Sequence, residues 1–309
     1  MTKPVEVLAI LGPTAVGKSA LGVAVAQAIR GEVVSADSMQ AYIGMDIGTA
    51  TPTEDERAGV PHHLLDTWPA SHVLSVAEYQ ERARVAIEEI KARHRLAILV
   101  GGSGLYVSGI LDDLRFPGTD PELRARLEME LHELGVRAIY ERLLAVDPEA
   151  ASAILPSNGR RIVRALEVIE LTGKPFVARL PDPIDRFRTV RVGLCISRTE
   201  LDARISARVD RMWADGFVEE VARLTAGPEP LSATAARALG YRQVLAYLGG
   251  ECTQEQARQA TIEATRKFAR RQQRWFVRDR RIHWIDYDAE DLVGQVVGLV
   301  TAAGAGTSQ

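Results

Sequence analysis

The chain opens with an apolar run, Val5 to Leu11, closed by Gly12 and Pro13; its length and aliphatic, β-branched content predict a buried strand. Leu21 to Ile29 is rich in Ala and Val at helical spacing and stops at Gly31, a natural helix end. Glu32 to Ser35 predicts a second strand, and His63 to Leu65 a weaker third. Val76 to His94 carries its charges on one side of a long amphipathic helix, and Leu96 to Val100 is another buried strand before Gly101 and Gly102. Strands alternating with helices predict an α/β fold, a mostly parallel sheet covered on both faces.

Near Pro117 the pattern changes. From Asp120 to about Thr172 only helical signals occur: Asp120-Pro121 as a helix start, Leu123, Leu127, Leu131 and Leu134 at helical spacing, and Asn158 as a cap. Pro175, Pro181 and Pro183 mark an irregular exit, after which Thr189 to Ser197 reads as a strand. The reading is an all-helical insertion, 118–186, within a core built from 1–117 and 187–309. Further helices are predicted over 200–226, 232–248 and 253–277, a last strand over Arg281 to Tyr287, and an Ala/Gly tail after Thr301.

Composition narrows the class. Among 309 residues, 46% are hydrophobic and 26% charged, enough apolar surface to bury a core and exclude global disorder. No apolar run approaches the roughly 20 residues that a bilayer requires, and the N-terminus does not read as a signal peptide. Cys195 and Cys252 allow one disulfide at most and lack metal-ligand spacing. The expectation is a cytoplasmic protein with no obligatory protein partner. The net charge of −3 conceals an asymmetry: residues 258–281 hold nine Lys/Arg and two acids, a local charge of +7, leaving −10 elsewhere. Concentrated positive charge on an acidic chain points to a polyanion contact.

The chemistry starts at Gly12-Pro13-Thr14-Ala15-Val16-Gly17-Lys18-Ser19, a complete phosphate-binding loop in strand–loop–helix context. Its N–H groups surround an anion, Lys18 adds a mobile positive charge, and the Ser19 hydroxyl suits Mg²⁺. The fold expectation sharpens to a P-loop NTPase-like parallel core with a helical insertion. The loop binds a di- or triphosphate, without saying which. Asp37 and Ser38 end the second strand, and Gly101-Gly102-Ser103-Gly104 ends another, its small residues allowing close backbone approach; parallel sheets gather ligands at such carboxyl ends. Alone, Asp37 could be a turn residue and Ser103 a helix cap, but their convergence on the loop favours a site. The strand ending in Gly101-Gly102 lacks the Asp of a motor ATPase, and no paired-arginine lid follows the core as a small-molecule kinase would need.

Two basic clusters remain. Arg160, Arg161 and Arg164 fall within one helical turn, with Ile162 facing elsewhere. Arg266, Arg270 and Arg274 recur at helical spacing, with Arg271 and Trp275 interleaved; repelling like charges favour a nucleic-acid partner.

Assembled, these segments resemble the bacterial tRNA dimethylallyltransferase (tRNA isopentenyltransferase) family over nearly the whole chain. The resemblance rests on GPTAVGKS at 12–19, SADSMQAY at 35–42, DIGTA at 46–50, PHHLLD at 61–66, VGGSGLY at 100–106, RRIVRALEV at 160–168, LGYRQ at 239–243 and TRKFARRQQRWF at 265–276. It implies transfer of a dimethylallyl group from dimethylallyl diphosphate to N6 of the adenosine at position 37, just 3′ of the tRNA anticodon. The loop would then hold a departing diphosphate with Mg²⁺, and Asp37 would take the amine proton. Ser103 stands where the family usually has Thr, and Arg208 resembles its diphosphate-binding arginine. The tRNA anticodon stem-loop would meet Asp37, Ser38, Met39, Gln40, Ser103, Arg124, Arg160, Arg161, Ile162, Val163, Arg164, Arg242, Arg270, Arg271 and Arg274. The family often has Gln at the place of Arg160. The target base would be extruded from its stack to reach the enzyme. Two rival readings are a P-loop kinase of a small metabolite and an RNA-binding protein that uses nucleotide as a switch.

Overall fold

The computed structural model describes residues 4–177 and 182–305; Pro181, one of the prolines at the predicted exit, and the last four residues lie outside them. One compact unit comprises the chain to Asp112 and from Asp185 onward, and the other is Asp113–Ile184.

The larger unit begins with β1 (Val7–Leu11), α1 (Lys18–Ile29), β2 (Glu32–Ser35), α2 (Glu54–Arg57) and β3 (His62–His63). It continues through α3 (Val76–Ala92), β4 (Ala97–Gly101) and α4 (Gly104–Leu111). The sheet runs β3-β2-β4-β1, then β5 (Thr189–Cys195) and β6 (Ile282–Asp286), and every pairing is parallel. Val7, Ala9 and Leu11 face one apolar cluster, Leu8 and Ile10 the other. Burial on both faces is why β1 reads as a continuous apolar run. Parallel pairing with β4 and β5 puts Gly12, at the carboxyl end of β1, in the middle of the sheet edge.

The smaller unit contains α5 (Pro121–Val146), α6 (Pro148–Ala153) and α7 (Gly159–Thr172). Asp120 and Asn158 cap α5 and α7 with their side chains. Gly135, at φ 79°, breaks α5 where the regular leucine spacing ends. Leu127, Leu143, Ile162, Val163 and Leu166 form the unit's own core.

Three predicted elements differ. The helix read as 200–226 is two, α8 (Arg198–Ala214) and α9 (Phe217–Thr225), because Gly216 adopts φ 93° between them. That read as 232–248 is α10 (Ala233–Ala236) and α11 (Tyr241–Leu248), parted at Gly240, φ 91°. After α12 (Gln254–Phe276) and β6, the Ala/Gly-rich end is helical to Ala305: α13 (Leu292–Ala305) buries Val296 against the cluster holding Leu8 and Ile10. Tertiary burial outweighs the weak helix propensity of its glycines.

Candidate active site

The 12–19 loop leaves β1 and enters α1 through Gly17, φ 105°, with Ala15 also left-handed at φ 67°. Left-handed residues within a tight turn bend successive N–H groups toward a common centre, an arrangement that attracts anions. Lys18 Nζ donates to the Pro13 carbonyl at 2.7 Å. Burial, and then the positive charge of Arg208, pull its pKa down to about 7, against the raising effect of Asp37. Arg208 reaches in from α8, donating through Nη1 to Thr14 Oγ1 at 3.2 Å and through Nη2 to the Thr49 carbonyl at 3.1 Å. Burial lowers the arginine's pKa, and the Asp37 charge opposes that too. Two cations thus rest on neighbouring loop residues, both electrostatically coupled to one carboxylate.

Asp37 is half-buried at the end of β2. Its Oδ1 accepts the Met39 N–H at 3.1 Å, while Oδ2 accepts no hydrogen bond among the described residues. The buried Tyr79 hydroxyl fixes this strand end by donating to the Ser35 carbonyl at 2.8 Å. Gln40 ties the same segment to the next loop: its Oε1 accepts from Ser35 Oγ at 3.0 Å, and its Nε2 donates to the Ala50 carbonyl at 3.2 Å. Ser38 is 5% exposed, so its side chain belongs to the protein interior rather than to an RNA surface. Met39 packs partly against the core. Ser103 occupies the cap position of α4 yet makes no capping hydrogen bond, leaving its hydroxyl for other use.

The glycines at 102 and 104 have a role different from close approach to a ligand. A Cβ on Gly102 would lie 2.3 Å from Gln272 Nε2 and 2.9 Å from the Gly12 carbonyl; one on Gly104 would lie 2.2 Å from the Trp275 ring. They admit α12, and Gln272 Oε1 accepts the Thr14 N–H at 2.9 Å. Glu220 is a second residue the sequence reading missed. Buried at 2% exposure, it accepts the N–H groups of Asp46, Ile47 and Gly48 at 3.0, 2.7 and 3.1 Å. It thereby shapes the loop that offers Thr49 to Arg208. Neither carried a local sequence signal: Gln272 stands between Arg271 and Gln273, and Glu220 follows Glu219.

The predicted RNA-contacting residues divide. Arg160 and Arg161 are exposed on the first turn of α7. Ile162 and Val163 are fully buried in the small unit's core, so their side chains cannot meet RNA; helical periodicity turns them inward. Arg124 and Arg164 each donate to Glu167 Oε2 at 2.7 Å, and Glu167 is fully buried. Arg164 also donates to the Pro117 and Gly118 carbonyls, so both arginines are committed within the unit. On the other unit, Arg242, Arg271 and Arg274 are exposed and Arg270 half-exposed. Arg266 leaves the predicted stripe: its guanidinium donates to Ser206 Oγ of α8 at 2.9 Å.

Ser19, the Mg²⁺ ligand expected from the sequence, stands exposed on the first turn of α1. Among the described residues no group of three His, Cys, Asp or Glu could cage a metal. One hydroxyl with ligand oxygens is the donor set Mg²⁺ favours over an all-protein cage.

Comparison with known proteins follows the same lines. A family model described as IPP transferase matches residues 40–280. The tRNA dimethylallyltransferase of Thermobifida fusca is 57% identical over 299 residues, spanning 95% of this chain and 94% of that protein. That of Streptomyces avermitilis is 59% identical over 287 residues, spanning 93% and 92%. The crystal structure of the full-length tRNA isopentenylpyrophosphate transferase from Bacillus halodurans matches with a TM-score of 0.70 at 39% identity, over 96% of this chain and 94% of that one. A eukaryotic dimethylallyltransferase acting on tRNA matches with a TM-score of 0.77 at 26% identity, over 91% and 73%.

Proposed function

The chain belongs to the IPP transferase family, and on that premise we propose that it moves a dimethylallyl group from dimethylallyl diphosphate to tRNA. The acceptor is N6 of the adenosine at position 37, 3′ of the anticodon. The relatives bear the name of this transferase and not of a kinase, which leaves the metabolite-kinase reading unsupported.

The carrying observation is the placement of Lys18 and Arg208 on Pro13 and Thr14, with Asp37 coupled to both. An adenine N6 amine is a weak nucleophile, because its lone pair is delocalised into the ring. The reaction must therefore be helped most by stabilising charge on the leaving group. The C1–O bond of the donor breaks, the C1–N6 bond forms, and the pyrophosphate oxygens gain the electron pair. Lys18, Arg208 and the N–H groups of residues 15–19 bind that charge. Asp37, with Oδ2 unoccupied by protein donors, accepts the proton that N6 loses. Ser103 orients the base through its uncommitted hydroxyl. The Ser19 hydroxyl would hold a Mg²⁺ ion, which would supply further positive charge to the diphosphate. On the RNA side, Arg160, Arg161, Arg242, Arg270, Arg271 and Arg274 supply phosphate contacts.

No described helix is long and apolar enough to cross a membrane, and a cytoplasmic location suits a tRNA-modifying role. The test incubates the protein with Mg²⁺, radiolabelled dimethylallyl diphosphate and unmodified tRNA. Label on the adenosine 3′ of the anticodon supports the reading; phosphoryl transfer from ATP to a metabolite without tRNA labelling would replace it.

A further inference from the structure

The peptide joining Pro13 and Thr14 is used at both ends. Its carbonyl accepts Lys18 Nζ at 2.7 Å, and its N–H donates to Gln272 Oε1 at 2.9 Å. A trans peptide is planar with its C=O and N–H on opposite sides, so whatever orients one end orients the other. Gln272 comes from α12, more than 250 residues along the chain, and is 6% exposed. A buried amide is costly unless its polar atoms are bonded, so an apolar side chain would serve packing alone as well. The space for it is provided at Gly102, where any Cβ would press on Gln272 Nε2.

We propose that Gln272 is a positioning residue for the transfer reaction: by accepting the Thr14 N–H it fixes the peptide plane whose carbonyl holds Lys18 ready for the diphosphate. The inference rests on reading the 12–19 loop as the diphosphate cradle. Gln272 acts through the Thr14 N–H of the loop rather than on a reacting atom. It prevents the 13–14 peptide from rotating, which would remove Lys18 from its acceptor and turn a carbonyl oxygen toward the incoming anion. The same residue pair is held by Arg208 through Thr14 Oγ1. One glutamine therefore sets the starting position of both cations.

Two variants test this. Gln272→Leu and Gln272→Met both keep most of the volume and remove the amide acceptor. With Gln272→Leu, KM for dimethylallyl diphosphate rises about tenfold, the effect of one lost hydrogen bond, while tRNA affinity by filter binding and the melting temperature stay close to wild type. At saturating dimethylallyl diphosphate kcat stays within about twofold, so the loss lies in binding the diphosphate and not in the chemical step. Gln272→Met behaves in the same way. Calorimetric binding of inorganic pyrophosphate repeats the comparison without turnover, so it stands even if the wild-type protein fails to label tRNA. Wild-type KM in Gln272→Leu overturns the proposal, as does a loss matched by equal losses in tRNA affinity and melting temperature. If Gln272→Leu does not fold, a wild-type pyrophosphate affinity in Gln272→Met overturns it.

Discussion

Tyr241 donates a 2.5 Å hydrogen bond to Glu220, the carboxylate that also gathers the N–H groups of Asp46, Ile47 and Gly48. Burial and the adjacent Glu220 charge push the phenol far above its ordinary pKa, so it remains a donor at any working pH. Tyr241→Phe removes one of four donors and should cost about 1–3 kcal/mol, the worth of a hydrogen bond to a charged group. Glu220→Ala strands three loop N–H groups, costs more, and raises KM for dimethylallyl diphosphate through the loosened Thr49–Arg208 contact. Urea unfolding with steady-state kinetics checks both. Unchanged KM in a folded Glu220→Ala protein would separate this loop from the site.

Asp37→Asn should lower kcat by about 10²–10⁴, the usual contribution of a general base, while tRNA binding stays within a few-fold. Single-turnover labelling at saturating tRNA measures the chemical step. A variant with normal turnover removes Asp37 from proton transfer.

With a pKa near 7, Lys18 is largely neutral at pH 8 in the free protein. A bound diphosphate favours the ammonium and raises that pKa, so binding at pH 8 should take up close to one proton. At pH 6 the lysine is charged in both states, and uptake should fall toward zero. Calorimetry in buffers of different ionisation enthalpy reads the proton number. Equal uptake at both pH values, or uptake that persists in Lys18→Met, would assign the proton elsewhere.

The arginines should separate by experiment. Arg271→Glu and Arg274→Glu, both on the exposed side of α12, should weaken tRNA binding and reduce its salt slope by about 0.7–0.9 for each phosphate no longer neutralised. Arg164→Leu instead removes one of two arginine partners from fully buried Glu167, leaving Arg124, and should destabilise the small unit by about 1.5–3 kcal/mol. Binding isotherms across a salt series, set beside thermal melts, distinguish the two behaviours. A destabilised Arg271→Glu, or an Arg164→Leu protein that melts normally, would reverse the assignment.

What could be read from the sequence was whatever is contiguous. β1, the 12–19 loop and α1 follow one another, so spacing alone gave their order, and Asp37 was visible as a strand-end carboxylate. Gln272 and Glu220 were not visible, because each meets the N–H groups of its loop across more than 170 residues and carries no local pattern. Gly102 and Gly104 invited a ligand explanation, whereas the space they leave is filled by Gln272 and Trp275. Arg266 and Val163 show the converse error: a cluster of charges, or a matched motif, does not say which side of a helix meets solvent. Arg266 reaches Ser206, and Val163 is interior.

β1 pairs with β5 from Thr189 onward, on the far side of the helical unit in chain order, and β6 and α13 come later still. During synthesis the small unit's local contacts can form as soon as it leaves the ribosome, while the loop's own strand waits for a neighbour translated some 180 residues afterwards. A ribosome stalled before β5 should therefore carry a folded helical unit behind an unfinished nucleotide-type sheet, and nascent chains should acquire protease resistance in that order.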